Sequence, residues 1–490
     1  MFLQYRNMKT VARIILLLIT ILIYPTLGNA QRKPNILFLL ADDMSYPYAS
    51  VYGEKNIKTP NIEQLAKHGV TFSNAFAASP SCTPSRAGIL TGKYPHKLGE
   101  GVNLVGKLDV GIPTFVQILR SEGYFVGYER KGWGPGDFNK MGYSENPAGK
   151  EITFNNLLKQ LDKDQPFFFW FGTNDPHRFF PFGAGKRNGI NPDSIKVPGF
   201  LPNTSEIKND LADYFHLIER FDSEIGELLN LLRNAGKLDN TIIVLTSDNG
   251  MPFPHAKANL YDHGSRVPLI ISHFGNAVQQ NIKNNSFVNL IDLMPSFLEF
   301  AGVKQVVDID GMSLVPVVKG IKKSNREEVF LERERHCLCR LDNGMLAGYP
   351  MRALRDNNFL YIRNFRPNRS PGGDAEIPGT PSIYGDVDGG PSKALLIDNQ
   401  NDPGINYYFK IAFDKRPAEE LYDVKNDPFN LHNLINDQSH SASIIKMRAK
   451  LNDWMEKEKD PRRNGGGDEI DKYVGTTKAW ITKWGIVFED

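Results

Sequence analysis

The 490-residue sequence predicts an α/β protein. A large unit built on a central, mostly parallel sheet between helices is followed by a smaller C-terminal α+β subdomain. Three observations carry this reading. Residues 35–40, 166–171 and 241–245 are short, nearly unbroken apolar runs, the habit of strands buried on both faces of a parallel sheet. Between the last two, Ile207, Leu211, Tyr214, Ile218, Phe221, Ile225, Leu229 and Leu232 recur at three- and four-residue steps until Gly236 stops the run, which predicts a long amphipathic helix. After about residue 345 the texture changes to short strand patterns at 359–362 and 420–423, a helix around 442–457, and a Pro- and Gly-rich stretch from 366 to 404 that is either mobile or shapes a pocket.

The first thirty residues stand apart. Arg6, Lys9 and Arg13 precede an apolar run, 14–23, and then Gly28-Asn29-Ala30, the layout of a cleaved secretory signal. The run is too short to span a bilayer comfortably, so no stable membrane anchor is expected. The expected organisation is a signal peptide at 1–30, a catalytic domain at 31–345 and a C-terminal subdomain at 346–490. With 58 basic against 56 acidic residues there is no basic excess for nucleic acid, and 41% apolar residues suffice for a packed core. Only three cysteines, Cys82, Cys337 and Cys339, argue against a disulfide framework in an exported chain. A bridge between Cys337 and Cys339, one residue apart, is expected to be strained.

Each predicted strand delivers polar residues at its carboxyl end: Asp42-Asp43 after the first, Asn174-Asp175-Pro176-His177 after the second, Ser247-Asp248-Asn249-Gly250 after the third. In open α/β sheets that edge is where ligands bind. One such Asp commonly caps a following helix; three strands ending in the same chemistry point to a site. Segment 81–93, Ser-Cys-Thr-Pro-Ser-Arg-Ala-Gly-Ile-Leu-Thr-Gly-Lys, opens a predicted helix with Pro84 in its first turn. Cys82 there sits where backbone N–H groups favour anions and activate a nucleophile, with Arg86 one turn on.

Cys-Thr-Pro-Ser-Arg followed by Ala-Gly-Ile-Leu-Thr-Gly resembles the signature of the type I sulfatases, in which the Cys is oxidised to formylglycine. Lys93 replaces the Arg often found at its end. Thr59-Pro60-Asn61-Ile62, Phe72-Ser73-Asn74-Ala75-Phe76, Ser247-Asp248-Asn249-Gly250, Arg266-Val267-Pro268-Leu269 and Glu420-Leu421-Tyr422-Asp423 are similar to that family in the same order. The resemblance implies an alkaline-phosphatase-like large domain and an enzyme that hydrolyses sulfate esters. It implies a calcium ion held by Asp42, Asp43, Asp248, Asn249 and residue 82, an oxygen-rich set that suits a hard cation. The resemblance further implies that the hydrated aldehyde at residue 82 would attack sulfur while the metal and Arg86 neutralise the sulfate oxygens, the sulfated enzyme then collapsing to aldehyde and free sulfate. Lys131, within Arg130-Lys131-Gly132-Trp133-Gly134, matches the lysine that contacts sulfate and nucleophile. His177 matches the histidine beside the leaving oxygen, a general acid, and Lys257 the lysine that also contacts that oxygen. Trp133 stands where many sulfatases carry a histidine.

Asn174-Asp175-Pro176-His177-Arg178, Asp248-Asn249-Gly250-Met251-Pro252-Phe253-Pro254 and Tyr349-Pro350-Met351-Arg352 resemble the heparan N-sulfatase (sulfamidase) branch, whose bacterial relatives act on sulfated glycans including ulvan. A sulfated carbohydrate substrate and a formylglycine-generating maturase acting on Cys82 are the implied partners. His336, Arg340 and Arg352 are expected to line a sugar subsite; a solvated, salt-bridged loop is the competing reading of that basic segment. Two other functions are weighed: a phosphodiesterase or phosphonate hydrolase of the same superfamily, and a glycan-binding protein whose Cys82 stays inert.

Overall fold

A computed structural model describes residues 32–304, 308–377 and 383–473; the expected signal peptide at 1–30 lies outside them. Eight strands form the central sheet: β1 (Asn35–Ala41), β2 (Gly69–Phe76), β3 (Phe125–Arg130), β4 (Lys150–Glu151), β5 (Phe167–Gly172), β6 (Thr241–Ser247), β7 (Arg266–His273) and β8 (Ile282–Asn289), in the order β4-β3-β5-β1-β6-β7-β2-β8. All its ladders are parallel except those of β7, which runs against β6 and β2. The helices that pack on the sheets and carry site residues include α1 (Pro60–Lys67), α2 (Cys82–Thr91), α3 (Phe115–Ser121), α4 (Ser205–Asn234) and α5 (Leu293–Phe300), then α6 (Pro391–Asp398) and α7 (Ser441–Lys457).

Successive side chains of β1 point to opposite faces, and both faces are buried. Ile36, Phe38 and Leu40 join Phe168, Trp170, Ile242 and Val244 on one side, under α2, α3 and α5. Leu37 and Leu39 join Phe169, Phe171, Ile243 and Leu245 on the other, against α1 and the Ile207–Leu232 stripe of α4. That double burial is why these strands read as apolar runs without alternation. Thr204 caps α4, its side chain accepting from Ile207 N, and Gly236 ends it in the left-handed region, φ 64°.

A second sheet, in the order β14-β13-β12-β9, is antiparallel throughout: β9 (Val329–Arg333), then a small hairpin β10 (Leu341–Asp342) and β11 (Met345–Leu346), then β12 (Met351–Arg355), β13 (Phe359–Asn364) and β14 (Glu419–Asp423). It begins at Val329, before the boundary expected at 345. One face, with Leu354, Tyr361 and Leu421, packs under Met447, Leu451 and Trp454 of α7. The other, with Val329, Leu331, Met351 and Ile362, packs on Phe76, Leu260, Tyr261 and Phe287 of the large unit. Val329 and Leu331 are apolar on that face because they complete this junction, which local texture does not reveal.

Cys337 and Cys339 are joined as a disulfide, with Cα atoms 5.4 Å apart, inside the ordinary range for such bonds. The buried Asp386 carboxylate accepts from Cys337 N at 2.9 Å and turns this loop so that the two side chains meet.

Candidate active site

Parallel β3, β5, β1 and β6 are neighbours, so their carboxyl ends open on one edge and Lys131, His177, Asp42, Asp43, Asp248 and Asn249 converge there. The same edge receives α2, which follows β2. All ten residues of α2 are buried, and the helix ends at Gly92 (φ 65°), whose N–H reaches Gly88 O at 2.8 Å. A Cβ at Gly92 would press against Met294 Sδ at 3.0 Å, so the glycine seats the helix on α5. Cys82 is its first residue.

Cys82 Sγ lies 3.6 Å from Asp42 Oδ1, 3.8 Å from Asn249 Oδ1 and 3.5 Å from Lys131 Nζ. Ligand atoms of Asp42, Asp43, Cys82 and Asp248 all fall within 4.8 Å of one another. Arg86 is wholly buried: its Nε donates to Asp248 Oδ2 at 2.8 Å and its Nη1 to the carbonyls of Lys131 and Gly132 at 2.9 and 2.8 Å. Its Nη2 lies 3.5 Å from Asp42 Oδ1 and makes no hydrogen bond among the described residues. Lys131 Nζ donates to Asp42 Oδ2 at 2.5 Å, and Lys257 Nζ bridges both Asp43 oxygens at 2.7 and 2.6 Å. Asp43 itself is left-handed (φ 71°); its N–H donates to Asp248 Oδ1 and its carbonyl accepts from Tyr214 Oη. A non-glycine residue stays in that conformation only where its surroundings hold it.

The electrostatics follow from burial. Desolvation works against the Asp42 carboxylate, but Lys131 and Arg86 outweigh it and hold the group well below the usual range. Asp248 goes the other way: burial raises it, Arg86 recovers only part of the shift, and Asp42 adds to it. Three buried carboxylates with one still short of positive charge, beside the carbonyl oxygen of Asn249, are a donor set that fits a hard divalent cation. Burial pushes the Cys82 thiol well above its ordinary value; Lys131 opposes this and Asp248 and Asp42 reinforce it. Burial, more than the charges around it, holds the thiol as encoded neutral, against the activation expected of a helix start.

His177 stands at the rim. Its Nδ1 donates to Arg178 O at 2.6 Å, leaving Nε2 facing the site 3.8 Å from Asp43 Oδ2. An open cavity of about 420 Å³ leads outward, lined by Asp42, Lys131, Asp175, His177, Phe179 and Arg220.

The three expected sugar contacts do not line this cavity. Arg352 is wholly buried, donating to Asp460 at 2.5 and 3.0 Å and to Glu334 at 2.9 Å. Arg340 is buried on Asp386 (2.6 Å) and the carbonyls of Ser370 and Pro371. His336 pairs with Ser81 Oγ at 2.8 Å behind Cys82, and burial together with the nearby Lys257 lowers it to about 3. These residues brace the loops under the site; the solvated-loop reading fails as well, because each is buried. Trp133 is buried in the core and its indole Nε1 has no hydrogen-bond partner among the described residues.

Sequence reasoning missed Asp388. It comes from the Pro/Gly-rich stretch, lies 3.2 Å from Lys257 Nζ and joins Asp43 and His177 within 4.8 Å. Burial opposes its charge, but Lys257 and His177 bring it down to about 2. No local motif marks it: an aspartate among glycines reads as a turn, and only the tertiary fold brings it to Lys257.

Residues 34–303, more than half of the chain, match the family model described as Sulfatase. The chain is 27% identical over 474 residues to an ulvan-active sulfatase of Formosa agariphila, covering 86% of this chain and 75% of that protein. It is 27% identical over 484 residues to the human N-sulphoglucosamine sulphohydrolase, covering 89% and 92%. Among solved structures, a protein in complex with its substrate D-glucosamine-2-N,6-O-disulfate superposes with a TM-score of 0.62 at 21% identity, over 88% of this chain and 99% of that one.

Proposed function

We infer, from a chain that belongs to the sulfatase family, an exported enzyme that hydrolyses sulfate esters of a polysaccharide or oligosaccharide such as ulvan, through a formylglycine made from Cys82 and a calcium ion. That the protein is a sulfatase follows from the family; the glycan, the modification and the ion are the proposal. The observation that carries it is the Asp42–Asp43–Asp248–Asn249 cluster around a buried Cys82. A thiol held neutral is a weak nucleophile as encoded, whereas an aldehyde in its place would supply a hydrated, oxygen-centred nucleophile. Asp42, Asp43, Asp248 and Asn249 would hold calcium, whose charge would offset that of the sulfate oxygens.

The chain's own residues divide the remaining work. Arg86, pinned by Asp248 and two carbonyls, leaves Nη2 without a hydrogen bond 3.5 Å from Asp42 Oδ1, and Lys131 Nζ stands 3.5 Å from Cys82 Sγ; both attract sulfate oxygens. His177, with Nδ1 committed to a carbonyl, offers a proton from Nε2 to the departing sugar oxygen when protonated, and Lys257 stabilises the same side. The sugar leaves through the cavity beyond His177.

A second reading is N-sulfate hydrolysis on glucosamine, favoured by the match along 92% of the human sulphohydrolase. Export is assigned from residues 1–30, with conversion of Cys82 by a maturase before or during secretion and a periplasmic or secreted destination. Among the described residues no helix is long and apolar enough to cross a membrane. Sulfate release by the matured protein from ulvan oligosaccharides, an N-sulfated heparin disaccharide, a sulfated galactan and an aryl sulfate tests the reading. Release from ulvan supports it, and release from the heparin disaccharide alone selects the second reading. Turnover of phosphate diesters or phosphonates with none of any sulfate contradicts both.

A further inference from the structure

Two aromatic rings, one on the cavity wall and one three residues further along the same loop, are exposed. Phe179 is 84% and Phe182 80% solvent-exposed, on the loop that follows His177. Phe179 lines the cavity together with His177 and Asp42. An exposed aromatic ring on the wall of a polar site offers an apolar face to a molecule bound there.

The loop carrying them is firmly held. Arg178, between His177 and Phe179, is buried; it donates to both Asp210 oxygens at 2.8 and 2.7 Å and to Pro252 O at 3.0 Å, with its guanidinium over the rings of Phe180 and Phe253. Asp213 accepts from Gly183 N and Gly185 N at 2.7 and 2.8 Å, fixing the other end. Asp210 also accepts from Ser392 N of α6 at 3.2 Å. Two neighbouring aromatics, Phe180 and Phe253, are consumed by this packing, while Phe179 and Phe182 point away from it. Gly389 flanks the ring of Phe179: a Cβ there would lie 3.6 Å from Phe179 Cε1. The ring thus lies against Gly389 and shares the cavity wall with His177. Lys186 and Arg187 are exposed just after the loop, while Arg220 at the cavity wall is paired with Asp175.

A pyranose ring has one face of C–H groups and a rim of hydroxyls. A preorganised aromatic ring takes the C–H face with little ordering cost, and basic neighbours suit an anionic chain. We propose that Phe179 and Phe182 form a stacking subsite for the sugar residues next to the one that loses sulfate, so that the enzyme selects a chain of an anionic glycan over a single sulfated unit. This rests on the glycan reading above and adds the extent of chain that is recognised.

The test compares wild-type, Phe179→Ala, Phe182→Ala and Phe179→Trp enzymes on ulvan and heparin tetrasaccharides and on 4-nitrophenyl sulfate. The subsite predicts that each Ala variant loses about tenfold more kcat/KM on the cleaved tetrasaccharide than on the aryl sulfate, mainly through KM, and that Phe179→Trp restores it. Equal losses on both substrates, or none on the tetrasaccharide, overturn the subsite while leaving the sulfatase reading intact. A wild-type enzyme that cleaves the aryl sulfate and neither tetrasaccharide overturns the glycan reading and the subsite with it.

Discussion

Replacing His177 by alanine should separate substrates by how badly their leaving group needs a proton. A sugar oxygen departs as an alkoxide unless it is protonated, whereas 4-nitrophenolate leaves readily without help. A positioned general acid contributes about 10² to 10⁴-fold. His177 is well positioned, with Nδ1 bonded to Arg178 O at 2.6 Å and Arg178 itself locked on Asp210. Its side chain is one-third exposed, which weakens the effect relative to a sealed site. The middle of the range, roughly 10³-fold or about 4 kcal/mol, is expected for kcat on a glycan sulfate, against less than about tenfold on 4-nitrophenyl sulfate. Initial rates of sulfate release, followed by ion chromatography on both substrates with both enzymes, measure it. Equal losses on the two substrates would show that His177 does not protonate the leaving oxygen.

Three further outcomes are expected. Arg352→Ala leaves Asp460 buried without its arginine and Glu334 with Arg462 alone, and should cost about 3–5 kcal/mol of stability in thermal or denaturant unfolding; a raised KM for glycan at unchanged stability would support a role as a sugar contact instead. His263, lowered by burial to about 4, is neutral in the fold, while the unfolded chain protonates it near 6.5. Its contribution is intact above pH 7 and is lost as pH falls from 6.5 toward 4, about 2–3 kcal/mol by pH 4.5, so unfolding midpoints of His263→Phe should depend less on pH over that window. Chelation of divalent ions should lower the unfolding midpoint of the wild type, and added calcium should restore it; Asp248→Asn should show a much smaller response in both directions.

What could be read from the chain alone was whatever local pattern decides. The apolar runs became β1, β5 and β6 because both faces of the sheet are covered, and the spacing from Ile207 to Leu232 became α4 because one stripe meets the sheet. The polar residues ending those strands meet because the strands are parallel neighbours. Arg340 and Arg352 went astray because a basic run looks the same whether it faces a sugar or buried carboxylates distant in sequence, and Asp386 and Asp460 are distant. Asp388 and the start of the second sheet were hidden for the same reason: each is defined by contacts across the chain, Lys257 for one and Phe76 and Phe287 for the other.

The nucleophile is the point on which the mechanism turns, and mass spectrometry of the peptide holding residue 82 reaches it directly. Protein is produced with graded amounts of a formylglycine-generating maturase, and the aldehyde fraction at residue 82 is compared with the rate of sulfate release. Specific activity should rise in proportion to that fraction and vanish in protein that retains the thiol. Full activity from a preparation whose Cys82 is entirely unmodified would contradict the mechanism.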